Sequence, residues 1–295
     1  MICHIIMCYL FVFTFGFGVV GASISTCITF WLNLIIITVY VSLKEGVTPE
    51  GSWFFFNKDS FKDLGLYLKY GIPAALMLCL EWWSFEVLAI FAGMLSIQEL
   101  AANVVLFNLI GIMFSIPFGM SFAVGALVGN NLGDGKYKTA KKYYILSMLC
   151  ILILTAVILI FILSFRWYVP YIYTQEEKVV DLVANTIPLF SIMMFFDNIQ
   201  GVASGTVRAI GYQKYASILT LVGFWMFSVP WAYIFAHILK LRLAGIWLGV
   251  PLGTLITSVS YNIICFTRDW KRIAEETKTR INKEKSELEQ PLIKK

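Results

Sequence analysis

Seven stretches of the chain, 16–43, 66–95, 100–127, 143–165, 179–207, 216–239 and 243–266, are each apolar over more than 20 residues. A run of that length crosses the roughly 30 Å hydrocarbon core of a bilayer at about 1.5 Å per helical residue. In lipid every backbone N–H and C=O must be bonded within the structure, which leaves helices or a closed barrel. Barrel strands read as alternating segments of about ten residues; these runs are longer and do not alternate. The expected fold is therefore all-α, a polytopic helical membrane protein. Composition agrees: 59% hydrophobic against 14% charged residues is too little polar surface to coat a soluble particle. The net charge of +5 comes mostly from loops and tail, and it gives no reason to expect a nucleic-acid partner.

The pieces between the runs set organisation and orientation. Residues 2–14 are apolar but short of a span, and they read as a truncated helix. A loop over 47–60 contains Pro49, Gly51 and Asn57, with Ser60 as an N-cap for an interfacial turn. From Arg268 the chain turns polar and charged, and it reads as a soluble tail, helical in part at best. Near its end, Leu288-Glu289-Gln290-Pro291-Leu292-Ile293 resembles an acidic dileucine sorting signal with the acid one position out. With the tail inside, only Arg166, Lys178, Lys240 and Arg242 of the 23 Lys and Arg lie outside. The positive-inside rule then places both termini in the cytosol. The six cysteines form no CxxC pair and read as small buried apolar side chains. Small residues at four-residue spacing, Ser121-Gly125-Gly129-Gly133, Gly245-Gly249-Gly253 and Gly201-Gly205, mark close helix packing.

One span breaks the apolar rule. Leu80-Glu81-Trp82-Trp83-Ser84-Phe85-Glu86 carries two carboxylates and two tryptophans inside an otherwise apolar run. Carboxylates at membrane depth are expensive and usually face a bundle interior or a wet cavity. Glu81 follows Lys69 by 12 residues and Asp197 precedes Arg208 by 11, so both lie roughly 16–18 Å from the same side, near mid-membrane. Two such acids can share a proton and give it up when a cation arrives, with Trp82 and Trp83 offering cation–π contact. The alternative is a structural hydrogen-bonded pair. Glu86 lies about 140° around the helix from Glu81. Gln200 joins the lining candidates, as do Asn103, Asn185 and Asn198, amides that also serve packing. No nucleophile–base pair, metal-ligand cluster or phosphate loop points to an enzyme, and Gly133-Asp134-Gly135-Lys136 lacks the P-loop pattern.

The span containing Glu81 resembles the start of the seventh helix in eukaryotic multidrug and toxin extrusion (MATE) transporters. Ile116-Pro117-Phe118-Gly119 with Val128-Gly129-Asn130-Asn131-Leu132-Gly133-Asp134-Gly135 resembles that family's PxG…VxNxLGAG signature, with Asp134 in place of the usual alanine. Gly201 to Lys214 resembles its GxxRGxGxQK segment. The resemblance implies twelve helices in two lobes, this chain matching the end of helix five, helix six and the C-lobe. The expected division is 1–44 for the end of the N-lobe, 45–65 for an inter-lobe loop, 66–267 for the C-lobe bundle and 268–295 for the tail.

By that resemblance Glu81, Asp197 and Glu86 match the family's acidic positions. Asn108 stands where some animal members carry a further acid. The implied activity is export of organic cations, xenobiotics or metabolites by secondary active antiport. A proton gradient (sodium as the alternative) drives it without a bound cofactor, in the plasma membrane or a vacuolar or vesicular one. Two other functions stay open: a truncated, non-transporting protein associating with full-length relatives or a missing N-lobe, and a flippase for a lipid-linked substrate. The flippase would want basic residues in its cavity, and Arg208, the one candidate, is expected at the inner helix end.

Overall fold

The computed structural model describes residues 2–44 and 64–279. The expected loop over 47–60, the Ser60 cap, and the tail from residue 280 with its dileucine-like stretch at 288–293 lie outside the described residues.

The described chain is helical and contains no strand. In order come α1 (Ile2–Tyr9), continued by a π turn over Leu10–Thr14, α2 (Gly18–Leu43), α3 (Leu64–Leu95), α4 (Ile97–Gly133) and α5 (Tyr137–Ser164). After a 3₁₀ turn (Val169–Ile172) come α6 (Glu177–Ala209), α7 (Gln213–Thr220), α8 (Val229–Tyr233) and α9 (Arg242–Thr267). Among the described residues, seven helical stretches are long and apolar enough to cross a membrane, as the sequence predicts, and Ile2–Thr14 is too short. The chain is an integral membrane protein.

Two compact units divide it, Met1–Leu64 and Gly65–Lys295. In the first, α1 packs on α2, where His4 Nδ1 and Thr29 Oγ1 are 3.0 Å apart. In the second, α6 is the central post, packed against α4, α5 and α9. Its buried side chains, among them Phe190, Met193, Met194, Val202 and Val207, feed two apolar clusters, one toward each end of the bundle.

Helix ends follow local chemistry. Ser96 opens α4 as an N-cap: its Oγ accepts from the Glu99 N–H at 3.2 Å, and its hydroxyl meets Glu99 Oε2 at 3.3 Å, a variant of the capping box. α4 runs six residues past the expected end at 127. It stops where Gly135, at φ +79°, donates to Leu132 O and Lys136 donates to Asn131 O. That left-handed turn explains the Gly-Asp-Gly-Lys run as a helix terminus.

Three features differ from the sequence reading. The span 216–239 is a composite. α7 passes into a π stretch over Leu221–Ser228, then α8 around Pro230, then a second π stretch over Ile234–Ile238. π turns interrupt α-helices mostly at singular positions, and α9 presses here on the widened backbone, with Gly245, Gly249 and Gly253 against Phe235, Ala232 and Ser228. The tail is helical in part, as expected, but its helix is docked on the bundle and not free in solution. Residues 270–279 lie in a helix whose Trp270 and Ala274 are 3% and 2% exposed, and Trp270 Nε1 donates to Cys265 O at 2.8 Å. Trp270, Ile273, Ala274 and Thr277 fall at helical spacing, an apolar stripe masked by the surrounding charges. Finally, Cys265 is the one fully buried cysteine, whereas Cys3, Cys27 and Cys150 are exposed. On a membrane bundle the outer face is apolar too, so an apolar setting does not by itself mean burial.

The glycine ladders make the close approaches expected of them at several rungs. A Cβ on Gly205 of α6 would overlap the Ser121 carbonyl of α4, and one on Gly249 would overlap the Ala232 amide. Gly129 is different, since nothing lies within 4 Å of where its Cβ would be.

Candidate functional site

α3 carries Glu81 and α6 carries Asp197 into the same buried place, at 7% and 2% exposure. Their carboxyl groups are close neighbours, near enough to act on one another. A carboxylate has no proton to donate, so a bond between two carboxyls needs one of them protonated. Asp197 Oδ1 has no hydrogen-bond partner among the described residues. A single proton between the two acids would satisfy that oxygen.

The surroundings fix that site from three other directions. Gln200, one turn along α6 from Asp197, donates from Nε2 to Glu81 Oε2 at 2.8 Å. Its carbonyl oxygen accepts from the Thr257 hydroxyl of α9. The α3 backbone is pinned from outside its own ladder, with Trp225 Nε1 donating to Leu80 O at 2.9 Å. Ser84 Oγ donates to Glu81 O at 2.6 Å. Trp225 lies in the first π stretch, so the irregular span bears directly on the acid's backbone.

Beyond Gln200 the α6 stripe continues through Ser204 to Arg208. A cavity of about 30 Å³ lies alongside, lined by Glu81, Gln200, Ser204, Arg208, Tyr261 and Phe114 among others. A water needs roughly 10–15 Å³ measured this way, so the space suits about two. The backbone of Arg208 ends α6 as expected, but its guanidinium folds back into the bundle. It donates to Ser121 Oγ at 2.6 Å and Ser204 Oγ at 3.3 Å, and lies 5.9 Å from the Phe122 ring centroid.

The other residues proposed from sequence divide. Trp82 is half-buried beside this site, edge-on to Phe107 and Phe114 at 5.7 and 6.0 Å. Trp83, Glu86 and Asn108 point out of the bundle, and the Asn108 amide bonds its own helix at Val104 O. The structure does not bring these three to the Glu81–Asp197 pair. Asn103 accepts from Trp247 Nε1 at 3.1 Å and Asn198 donates to Thr155 at 3.0 Å, both bracing helices. Sequence reasoning missed Thr257, Tyr261 and Trp225. A hydroxyl or indole in an apolar run carries no signal of its partner.

A second polar cluster closes the opposite end of the bundle. Glu99, 1% exposed, receives both Arg242 Nε at 2.7 Å and Arg242 Nη2 at 3.1 Å, while Arg242 sits at φ +55°. A left-handed non-glycine backbone is held there by a forked ion pair. Arg242→Met should lower the thermal unfolding midpoint by several degrees, because it strands a buried carboxylate. Adding Glu99→Leu should recover part of that loss, and scanning fluorimetry in detergent reads both.

The family model MatE matches residues 73–234 of the chain. Protein DETOXIFICATION 16 of Arabidopsis thaliana is 30% identical over 96% of this chain and 58% of its own length. Multidrug and toxin extrusion protein 1 of Homo sapiens is 26% identical over 93% and 48%. The crystal structure of the eukaryotic MATE transporter AtDTX14 superposes with a TM-score of 0.88 at 29% identity, covering 94% of this chain and 62% of that one. This chain thus spans about half the length of the curated relatives it matches.

Proposed function

Because the chain belongs to the MatE family, we propose that its bundle is the proton-coupled part of an antiporter that exports organic cations. The observation that carries this reading is the burial of Glu81 and Asp197 side by side at mid-span, two carboxyls that one proton can serve. An arriving organic cation replaces that proton: the pair ionises, the proton leaves, and two carboxylates hold the positive charge. Outward return reverses the exchange. Gln200 and Thr257 keep Glu81 in place through both states. Trp82 and the phenylalanines around it supply apolar and cation–π surface next to the acids.

The lysine and arginine distribution supports a cytosolic position for both termini. The exposed Glu86 and Asn108 support a water-facing flank on α3 and α4, because polar groups at membrane depth avoid hydrocarbon. A second helical bundle, of this polypeptide or of a full-length relative, completes the substrate path along that flank. The membrane is a plasma, vacuolar or vesicular one.

Calorimetry of the detergent-solubilised chain tests the exchange. Tetraethylammonium has no proton of its own, so any proton released on its binding comes from the protein. Titrations at one pH in buffers of different ionisation enthalpy should differ by the heat of about one proton per cation bound. Identical heats in all buffers would sink the reading.

A further inference from the structure

α5 opens on lysines. Lys138, Lys141 and Lys142 share one face of the helix, while Ala140 and Tyr144 turn into the bundle. Lys138 and Lys142 are exposed and Lys141 is half-buried, and none of the three has an ion-pair partner among the described residues. The first turn of α5 holds no acidic residue, and Lys136 before it makes no side-chain cap. The positive end of a helix dipole disfavours cations, so these lysines repel one another and their own helix end. Other cations at this end of the bundle are matched. Lys136 pairs with Asp134 at 2.9 Å, Arg272 with Glu276 at 2.7 Å and Lys271 with Glu275 at 4.0 Å, and Arg268 lies 4.7 Å from the Tyr212 ring centroid. Lys69 on α3 and Lys214 on α7 are exposed, but each is the single lysine of its helix. The docked helix at 270–279 adds a further exposed lysine to the α5 cluster. The Lys278 stem lies against the α4–α5 turn, its Cδ 3.7 Å from where a Cβ on Gly135 would stand, and its ammonium has no ion-pair partner among the described residues.

Depth decides what can meet this charge. The span Tyr137–Ser164 has 28 residues, roughly 42 Å of helix against about 30 Å of hydrocarbon. Its apolar run starts at Tyr143, immediately after Lys142, so the lysines stand at headgroup level with stems that can lie along the acyl boundary. We propose that Lys138, Lys141 and Lys142 of α5, joined by Lys278 of the docked helix, form a binding surface for anionic phospholipid headgroups in the leaflet where α5 begins. A zwitterionic headgroup brings its own cation and leaves the repulsion in place. An anionic one brings net negative charge and relieves it, at a scale of about fivefold in association per lysine. The surface exists because the docked helix is seated, with Trp270 6.1 Å from the Tyr144 ring. A headgroup bridging the α5 lysines and Lys278 therefore also holds that helix on the bundle. The proposal is independent of what the bundle transports.

The test uses the full chain in phosphatidylcholine proteoliposomes carrying a trace of photoactivatable phosphatidylserine or, in parallel, photoactivatable phosphatidylcholine, with the labelled peptides located by mass spectrometry. Peptides covering 136–144 and 270–279 should be labelled at least tenfold more by the serine lipid than by the choline lipid. Peptides around Lys178 and Lys240, at the other end of the bundle, should show no such preference. Molar salt should bring the ratio to within twofold of unity in the unchanged chain, a readout that needs no variant. The triple variant Lys138→Gln, Lys141→Gln, Lys142→Gln should do the same, and Lys278→Gln alone should lower the ratio about fivefold. The corresponding triple change to Arg keeps the charge and should keep the preference, which separates lost charge from lost fold. Equal labelling by the two lipids in the unchanged chain overturns the proposal. So does a serine-lipid preference that survives the triple Gln variant.

Discussion

Glu81→Gln and Asp197→Asn should each abolish cation-linked proton release and weaken tetraethylammonium binding by about thirtyfold or more. That factor corresponds to losing one partner of a buried, hydrogen-bonded charge pair, typically 2–5 kcal/mol. The amide variants are informative because they keep shape. A glutamine in place of Glu81 can still accept from Gln200, and an asparagine in place of Asp197 can still meet the α3 side chain, so the helices have no reason to part. Only the titrating oxygen is gone. The double variant should lose no more than either single one, since the two carboxyls act as one proton site and their effects do not add. Glu86→Gln, on the outward side of α3, should change binding far less than either. Calorimetry at constant pH separates the three. A double variant twice as impaired in free energy as the singles would mean two independent sites.

Gly205→Ala should unfold or grossly loosen the second unit. The added methyl would occupy the place of the Ser121 carbonyl oxygen, backbone against backbone, with no side chain to swing aside. Overpacking of a tight core costs about 1–3 kcal/mol even where neighbours adjust, and here α4 and α6 would have to separate. Gly129→Ala is the control: the site is open, and alanine is the better helix former by up to about 1 kcal/mol. Thermal unfolding in detergent should therefore show a large fall for the first and none for the second. Equal midpoints would mean the contact is not made.

Much of this architecture is legible because it is written in composition and period. Seven spans follow from apolar length alone, and their order and approximate ends agree with the helices found. Glu81, Asp197 and Gln200 stand out because polar groups inside a span are rare enough to need a reason. What sequence hides is pairing at a distance and departure from regular geometry. Thr257 is separated from Gln200 by 57 residues and Trp225 from Leu80 by 145, and nothing local announces either bond. The π stretches read as ordinary helix, because their residues are as apolar as the rest of the span. Backbone position alone puts Arg208 at a helix end, yet its long side chain reaches back toward the acids. Glu99 at a span end looks like a surface acid, although its burial beneath Arg242 makes it a clasp between two helix ends.

The docked helix at 270–279 also governs how this protein can be handled. Trp270 covers the Cys265 carbonyl and lies 6.1 Å from the Tyr144 ring, while Ala274 sits in the same apolar cluster. Cutting the chain after Thr267, the natural boundary by hydropathy, would strip that cover and leave an apolar scar where α5 and α9 meet. Fluorescent reporters and purification handles belong after residue 279, where the attachment leaves the helix seated.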